Sequence, residues 1–216
     1  MNNKVKQYEA KLKQYGIKLY EEYLKMITLH HKSKNSNSII KILKKGQLIS
    51  GENLTKKERC YSGGQAMDKI FGNIRFNDIH TMKDKLFINS FIIKSNIIND
   101  QDIYFNDGWY ADTVDIGVNN MLDNGKKNIL QTIRITKHLS NATKAKLLME
   151  IRDQLKHPKK IPESNWMLRQ EIIFRKSIDI KKYVTSIILQ KGDSNIKKIK
   201  QIIKEKKYKI KIIEYE

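Results

Sequence analysis

The chain has 216 residues, enough for one full domain or two small ones, and at roughly 100–200 residues per domain one is the better expectation. Its 43 Lys and Arg against 23 Asp and Glu give a net charge of +20, which draws polyanions and nucleic acid above all. The single cysteine, Cys60, excludes a disulfide framework or a multi-cysteine zinc site, and no apolar run approaches the ~20 residues that cross a bilayer.

The N-terminus is charged throughout and shows no signal peptide, so a cytoplasmic protein with no membrane partner is expected. Ile, Lys and Asn dominate the composition, which an AT-rich genome also produces. The basic balance therefore does not by itself define a function.

The first segment reads as a long amphipathic helix. Val5, Tyr8, Leu12, Tyr15, Leu19, Tyr23 and Met26 recur at intervals of three and four, with most lysines off that seam. Gly16 weakens its middle by about 1 kcal/mol relative to alanine. The near-heptad spacing suits either docking on the domain or a homodimer through this helix. His30-His31 and the polar KSKNSNS stretch end it. Residues 1–34 are thus expected as an N-terminal arm, and residues 38–216 as a single α+β domain.

The IIKIL group after Ser38 is too short to assign. A loop at 51–57 and a turn at Cys60 to Gly64 lead to a short helix with Met67, Ile70 and Phe71 on one face. Three β-rich runs follow at 86–88, 91–93 and 103–105, separated by Asn and Asp turns, and mark a central antiparallel region. Residues 113–118 and 129–136 form an expected hairpin. Ser140 and Asn141 cap a helix carrying Leu147, Leu148, Ile151 and Leu155, which stops before Pro158. Strands are expected at 167–176 and 183–190. A helix opened by Gly192-Asp193-Ser194 then turns Ile196, Ile199, Ile202 and Ile203 inward, before a last strand with Tyr208, Ile210 and Ile212. This C-terminal strand–helix–strand unit implies parallel neighbouring strands.

Between Lys94 and Lys126 there is neither Lys nor Arg, where about six would be expected at the chain's overall density. The same stretch holds Asp100, Asp102, Asp107, Asp112, Asp115 and Asp123. An acidic island in a basic protein suits a metal-assisted phosphodiesterase, in which carboxylates hold Mg²⁺ against the scissile phosphate. The plainer reading is that these aspartates occupy turns, as Asn106-Asp107-Gly108 and Asp123-Asn124-Gly125 do well.

Asp112 and Asp115 are the expected metal ligands and catalytic carboxylates. Asp115 opens an apolar strand, and the next strand carries Gln131, Thr132 and Arg134, followed by Lys137 and His138. This arrangement weakly resembles the core of PD-(D/E)xK nucleases. There an Asp begins one strand, a Glu or Gln two before a Lys lies on the next, the acids bind metal and the Lys orients water. The resemblance spans roughly thirty residues and departs from the pattern at Ile133, where a Lys belongs; Arg134 has the opposite side-chain parity to Gln131.

Metal-free chemistry is the competitor. Thr132, Arg134 and Thr136 share one strand face, and Lys137-His138 ends the strand, so a His base with Arg and Lys stabilising a pentacovalent phosphate would cleave RNA; His80 could supply a second acid–base group. Cys60 reads as a small buried thiol, and Trp109 and Trp166 as packing or base-stacking residues.

The leading expectation is a small Mg²⁺-dependent nuclease of a restriction, mobile-element or toxin system, catalysed by Asp112, Asp115, Gln131, Arg134, Lys137 and His138. The rivals are a non-catalytic DNA- or RNA-binding factor of replication, packaging or the ribosome, and a metal-independent ribonuclease toxin. Expected partners are nucleic acid, a second copy of the chain, and an acidic protein that neutralises the charge.

Overall fold

Ile-rich runs of four to seven residues dominate the centre of the molecule, and in a computed structural model they assemble into one mixed sheet. The structure describes residues 3–50, 53, 70–79, 87–106, 132–156, 171–174 and 176–216. The strands are β1 (Ile27–Lys32), β2 (Gln47–Leu48), β3 (Ile70–Phe76), β4 (Ser90–Ile93), β5 (Ile103–Asn106), β6 (Thr132–Ile135), β7 (Glu171–Phe174), β8 (Ile178–Asp179), β9 (Val184–Gln190) and β10 (Lys211–Tyr215). Eight of them form a sheet in the order β10-β9-β4-β1-β3-β7-β5-β6, while β2 and β8 make a small ribbon. The helices are α1 (Asn3–Met26), α2 (Ser36–Lys45), α3 (Asn141–Lys156), the single turn α4 (Ile180–Tyr183) and α5 (Ile196–Glu205). The fold class is α+β, as the sequence implies.

One face of the sheet is largely apolar. Cross-strand partners share a face. Leu29 stands opposite Ile74 and Ile93, Ile27 opposite Phe76, and Gly72 opposite Ile172. Phe174 stands opposite Ile70 and Ile103, and Phe105 opposite Ile172 and Ile133. Apart from Gly72 these are core residues, each contributing about 1.5–3 kcal/mol of burial.

Helices α1 and α3 pack together through small residues. A Cβ built on Gly16 would stand 2.6 Å from the Ala142 Cβ, so glycine is what permits this crossing. The buried face of α1 is Gly16, Tyr20 and Tyr23, whereas Leu12 and Tyr15 are exposed by 61% and 66%. Of the seam residues whose side chains are described, Tyr23 is buried and Leu19 and Met26 half-buried, while Leu12 and Tyr15 are exposed.

Several local expectations are corrected. His30 and His31 do not end a helix: α1 stops at Met26 and runs straight into β1, a strand inside the sheet. The KSKNSNS stretch is ordered by Asn35, whose side chain caps α2 by accepting from the Ser38 N–H (3.0 Å), and Gly46 ends that helix at φ 79°. Ile70 and Phe71 begin strand β3, not a helix face. Phe87 lies in a turn before β4. Residues 113–118 of the expected hairpin lie outside the described residues, and β6 pairs with β5. The topology of the C-terminal unit stands as read, with β9 and β10 parallel from Lys211 opposite Ser186 to Tyr215 opposite Gln190, but the last strand starts at Lys211, so Tyr208 and Ile210 precede it.

Candidate active site

The second face of the sheet differs from the first. In β3 the sequence IFGNIRF alternates, so Gly72, Ile74 and Phe76 face the apolar side while Phe71, Asn73 and Arg75 face the other. Asn73 pairs with His30 of β1 on one side and with Glu171 of β7 on the other. His30, Asn73 and Glu171 therefore form one polar row across three adjacent strands. The row continues from His30 through Ile92 to Ser186. His30, Asn73 and Glu171 are only 3%, 9% and 8% exposed. Placing a carboxylate and two polar side chains in the middle of a sheet is costly unless they are matched by partners or serve a ligand.

An aromatic and a cation complete the cluster. The Phe87 ring lies with its centroid 4.2 Å from that of His30, tilted by 37°. The Arg75 guanidinium carbon stands 4.8 Å from the Phe87 centroid, a cation–π stacking distance. Two residues on, Asn89 takes a left-handed turn at φ 64°; its carbonyl accepts from the Ser33 N–H and its own N–H donates to the Ile188 carbonyl, both at 2.8 Å. The side-chain oxygens of Ser33, Asn89 and Ser90 gather at this turn, buried and without a hydrogen-bond partner among the described residues. Buried polar atoms of this kind call for water or a polar ligand.

His31 points to the opposite face and takes no part in the row. Its Nδ1–H donates to the Phe71 carbonyl (2.8 Å). Burial pushes its pKa below the usual 6.5, a shift the carbonyl only partly opposes.

Of the residues singled out from the sequence, Asp112, Asp115 and Gln131 lie outside the described residues, as do Asp107, Asp123, His80, Cys60, Trp109 and Trp166. Arg134 lies exposed on β6, donates to Asp102 (3.2 Å) and stands 5.4 Å from the Tyr104 ring centroid. The Lys137 backbone N–H also donates to Asp102 (3.0 Å), and His138 is exposed in the following turn. Asp100 accepts from the Tyr183 hydroxyl (2.5 Å) and from Lys182 (3.1 Å), which hold its carboxyl below the usual carboxylate range. Burial disfavours the Asp102 carboxylate, but Lys137 and Arg134 outweigh it and hold that group low as well. The acidic island is thus neutralised, where it is described, by cations distant in sequence. No group of three or more His, Cys, Asp or Glu placed to hold a metal occurs among the described residues.

The polar row was not read from the sequence. Neighbours in the row are 43 and 98 positions apart and meet only through strand pairing. The one local signal was period two: Asn73 and Arg75 alternate with buried apolar residues in β3, and Glu171 opens the apolar run Ile172–Phe174.

Residues 24–145 match the model of a family of unknown function, DUF5846. No curated protein matches. Among solved structures, the chain is similar to DarT of Thermus sp. 2.9 in complex with NAD⁺, with TM-score 0.50 and 10% identity over 86% of this chain and 94% of that one. The same protein in complex with carba-NAD⁺ gives TM-score 0.49 and 12% identity at the same coverage. The likeness is one of fold, and it corrects the sequence reading. The sheet is shared with a protein that binds a dinucleotide, not laid out as a PD-(D/E)xK core, and the Mg²⁺-dependent nuclease is set aside.

Proposed function

The chain belongs to the family of unknown function DUF5846, and we propose that it is an NAD⁺-consuming transferase that moves ADP-ribose onto a nucleic acid. The observation that carries this reading is the buried row His30–Asn73–Glu171, flanked by Arg75 and Phe87, on one face of a sheet whose other face is largely apolar. The similar fold of an NAD⁺-bound protein supports the choice of substrate.

The residues fit the parts of that substrate. The Arg75 guanidinium suits the pyrophosphate, since Arg binds phosphate oxygens in a fork. Phe87 is buried and packs against His30 and Arg75, holding the guanidinium in place. The orphaned oxygens of Ser33, Asn89 and Ser90 match the hydroxyl-rich riboses and the carboxamide. Ionised Glu171 stabilises the positive charge that develops on the ribose as the bond from its anomeric carbon to the nicotinamide nitrogen breaks. Those electrons leave with nicotinamide, which becomes neutral. The acceptor atom then bonds to the anomeric carbon, and its proton passes to the Glu171 carboxylate and on to solvent.

The net charge of +20 supports nucleic acid as the acceptor. Of the settings read from the sequence, a toxin system accommodates such an activity. The test is incubation with NAD⁺ labelled in its adenylate, together with DNA or RNA oligonucleotides and without added metal. Label is expected on the oligonucleotide. An oligonucleotide that stays unlabelled while NAD⁺ is hydrolysed would exclude nucleic acid as the acceptor.

A further inference from the structure

Helices α2 and α5 lie side by side and run the same way. At their starts the Asn195 side-chain amide donates to Ser36 Oγ (2.9 Å) and Asn37 Oδ1 (3.2 Å). At their ends the Tyr208 hydroxyl donates to the Leu43 carbonyl (3.1 Å). Their apolar residues, Ile39, Ile40 and Leu43 on one and Ile196, Ile199 and Ile202 on the other, are buried. The lysines are left to gather where both helices stop. Lys44 and Lys45 precede Gly46, and Lys204, Lys206, Lys207 and Lys209 surround the end of α5; all six are exposed. Glu205 is the carboxylate among them in sequence, and Gln201 donates to it (2.7 Å).

Each helix C-terminus carries about half a negative charge, which one or two cations offset. Six exceed that need. Ion pairs are made elsewhere by Arg134 with Asp102, Arg152 with Asp78, and Lys182 with Asp100. None of the six lysines forms an ion pair with a described carboxylate. Such crowding is unfavourable in the free protein and becomes favourable against a polyanion whose counterions it releases.

The cluster lies on the side of the sheet where α2 and α5 join Leu29, Ile74, Ile187 and Leu189 in the core, while the polar row faces the other side. Lys211, the first residue of β10, pairs with Ser186, Ser186 with Ile92, Ile92 with His30, His30 with Asn73, and Asn73 with Glu171. At about 4.8 Å per strand, β10 lies about 14 Å from β1 and about 24 Å from β7.

We propose that the C-terminal ends of α2 and α5 form a cradle for the phosphodiester backbone of the acceptor nucleic acid. The proposal rests on the transferase reading of that row. Lysine ammonium groups act here as point charges, so the cradle positions the strand without reading its sequence.

The test uses the full chain with Lys44→Gln, Lys45→Gln, Lys206→Gln and Lys207→Gln combined. A control of equal charge loss carries Lys11→Gln, Lys13→Gln, Lys18→Gln and Lys25→Gln on α1. Binding of labelled single-stranded DNA and RNA oligonucleotides is followed over a salt series. The slope of log K against log salt should become shallower by about 3 in the cradle variant, at about 0.7 per lost phosphate contact, alike for unrelated sequences. It should remain near wild type in the control. The DNA and RNA arms show which backbone the cradle takes. Nicotinamide release from NAD⁺ without oligonucleotide should be unchanged in both variants. An unchanged slope in the cradle variant, or an equal loss in the control, overturns the proposal. Absence of nicotinamide release from the wild type would instead overturn the transferase reading, and the slopes would still decide the cradle.

Discussion

Gly16 of α1 and Ala142 of α3 approach so closely that a methyl group on the glycine would stand 2.6 Å from the Ala142 Cβ and 3.0 Å from its Cα. The second contact is backbone, which cannot rotate away. In an isolated helix Gly16→Ala would be favourable by about 1 kcal/mol. Here overpacking costs about 1–3 kcal/mol and should prevail. A net loss of up to about 2 kcal/mol is expected in urea unfolding. Adding Ala142→Gly should restore much of it; a stabilised Gly16→Ala would mean that the helices do not cross at this point.

Beneath that crossing lies a buried polar group. Lys144 is 3% exposed, its ammonium donates to Asn99 Oδ1 (3.1 Å) and it sits 5.6 Å from the Tyr20 ring centroid. The Tyr20 hydroxyl donates to the same oxygen (2.8 Å), and burial pushes its pKa up to about 12. Burial lowers the Lys144 pKa, with Asp100 opposing. Asn99→Leu removes the shared acceptor and should cost about 2–3 kcal/mol, because a charge and a hydroxyl are left buried without it. In a Lys144→Met background the same substitution should cost at least about 1 kcal/mol less. Equal costs in both backgrounds would show that the two groups are not coupled.

The stability of the sheet should fall in weak acid through His31. Its folded pKa is depressed below the usual 6.5, so below that pH the unfolded chain takes up a proton that the folded chain resists. The contribution is complete above about pH 6.5 and is lost as pH falls toward the folded value. Asp78, Asp100 and Asp102 have pKa values lowered from 3.8 and lose their contributions only in stronger acid, so the two windows separate. Urea midpoints measured between pH 7 and pH 5 should decline for the wild type and decline less for His31→Gln. Parallel slopes would show that His31 titrates alike in both states.

The parts legible in the sequence are those whose signals are local. The C-terminal unit could be read because inward isoleucines in α5 lie between two strands, and a strand–helix–strand connection implies parallel pairing. Helix α3 could be read from its Ser140 start, whose hydroxyl accepts from the Thr143 N–H (3.2 Å). Strand β1 could not, because the helical period runs unbroken to Met26 and neither glycine nor proline separates it from Ile27. Ile70 and Phe71 mimic a helix face with Met67 over one turn, and pairing with Phe174 and Ile173 of β7 makes that region a strand. The acidic island misled for a related reason. Asp100 and Asp102 look unneutralised along the chain, yet Lys182, Arg134 and Lys137 reach them across the fold.

Phe87 and Arg75 should separate binding from chemistry. Phe87→Leu keeps much of the apolar volume but removes the ring against which His30 and Arg75 pack. Losing the ring that positions Arg75 is worth about 0.5–1.5 kcal/mol, so NAD⁺ affinity should fall by up to roughly ten-fold, with maximal turnover much less affected. Arg75→Lys keeps the charge but not the fork and should likewise act mainly on KM. An equal fall in kcat with unchanged KM would move these residues from substrate binding to the chemical step.

The most direct measurement is nicotinamide release from NAD⁺ by the wild-type chain and by Glu171→Gln, with both proteins matched by thermal melting. The substitution keeps the size of the side chain and its place beside Asn73 while removing the charge that stabilises the developing cation. Release is expected from the wild type and should fall by about 10²–10³ in the variant with NAD⁺ still bound, the scale of losing one preorganised electrostatic contact. Release by Glu171→Gln at the wild-type rate, or none from the wild type, would contradict the assignment of this row as an NAD⁺-cleaving site.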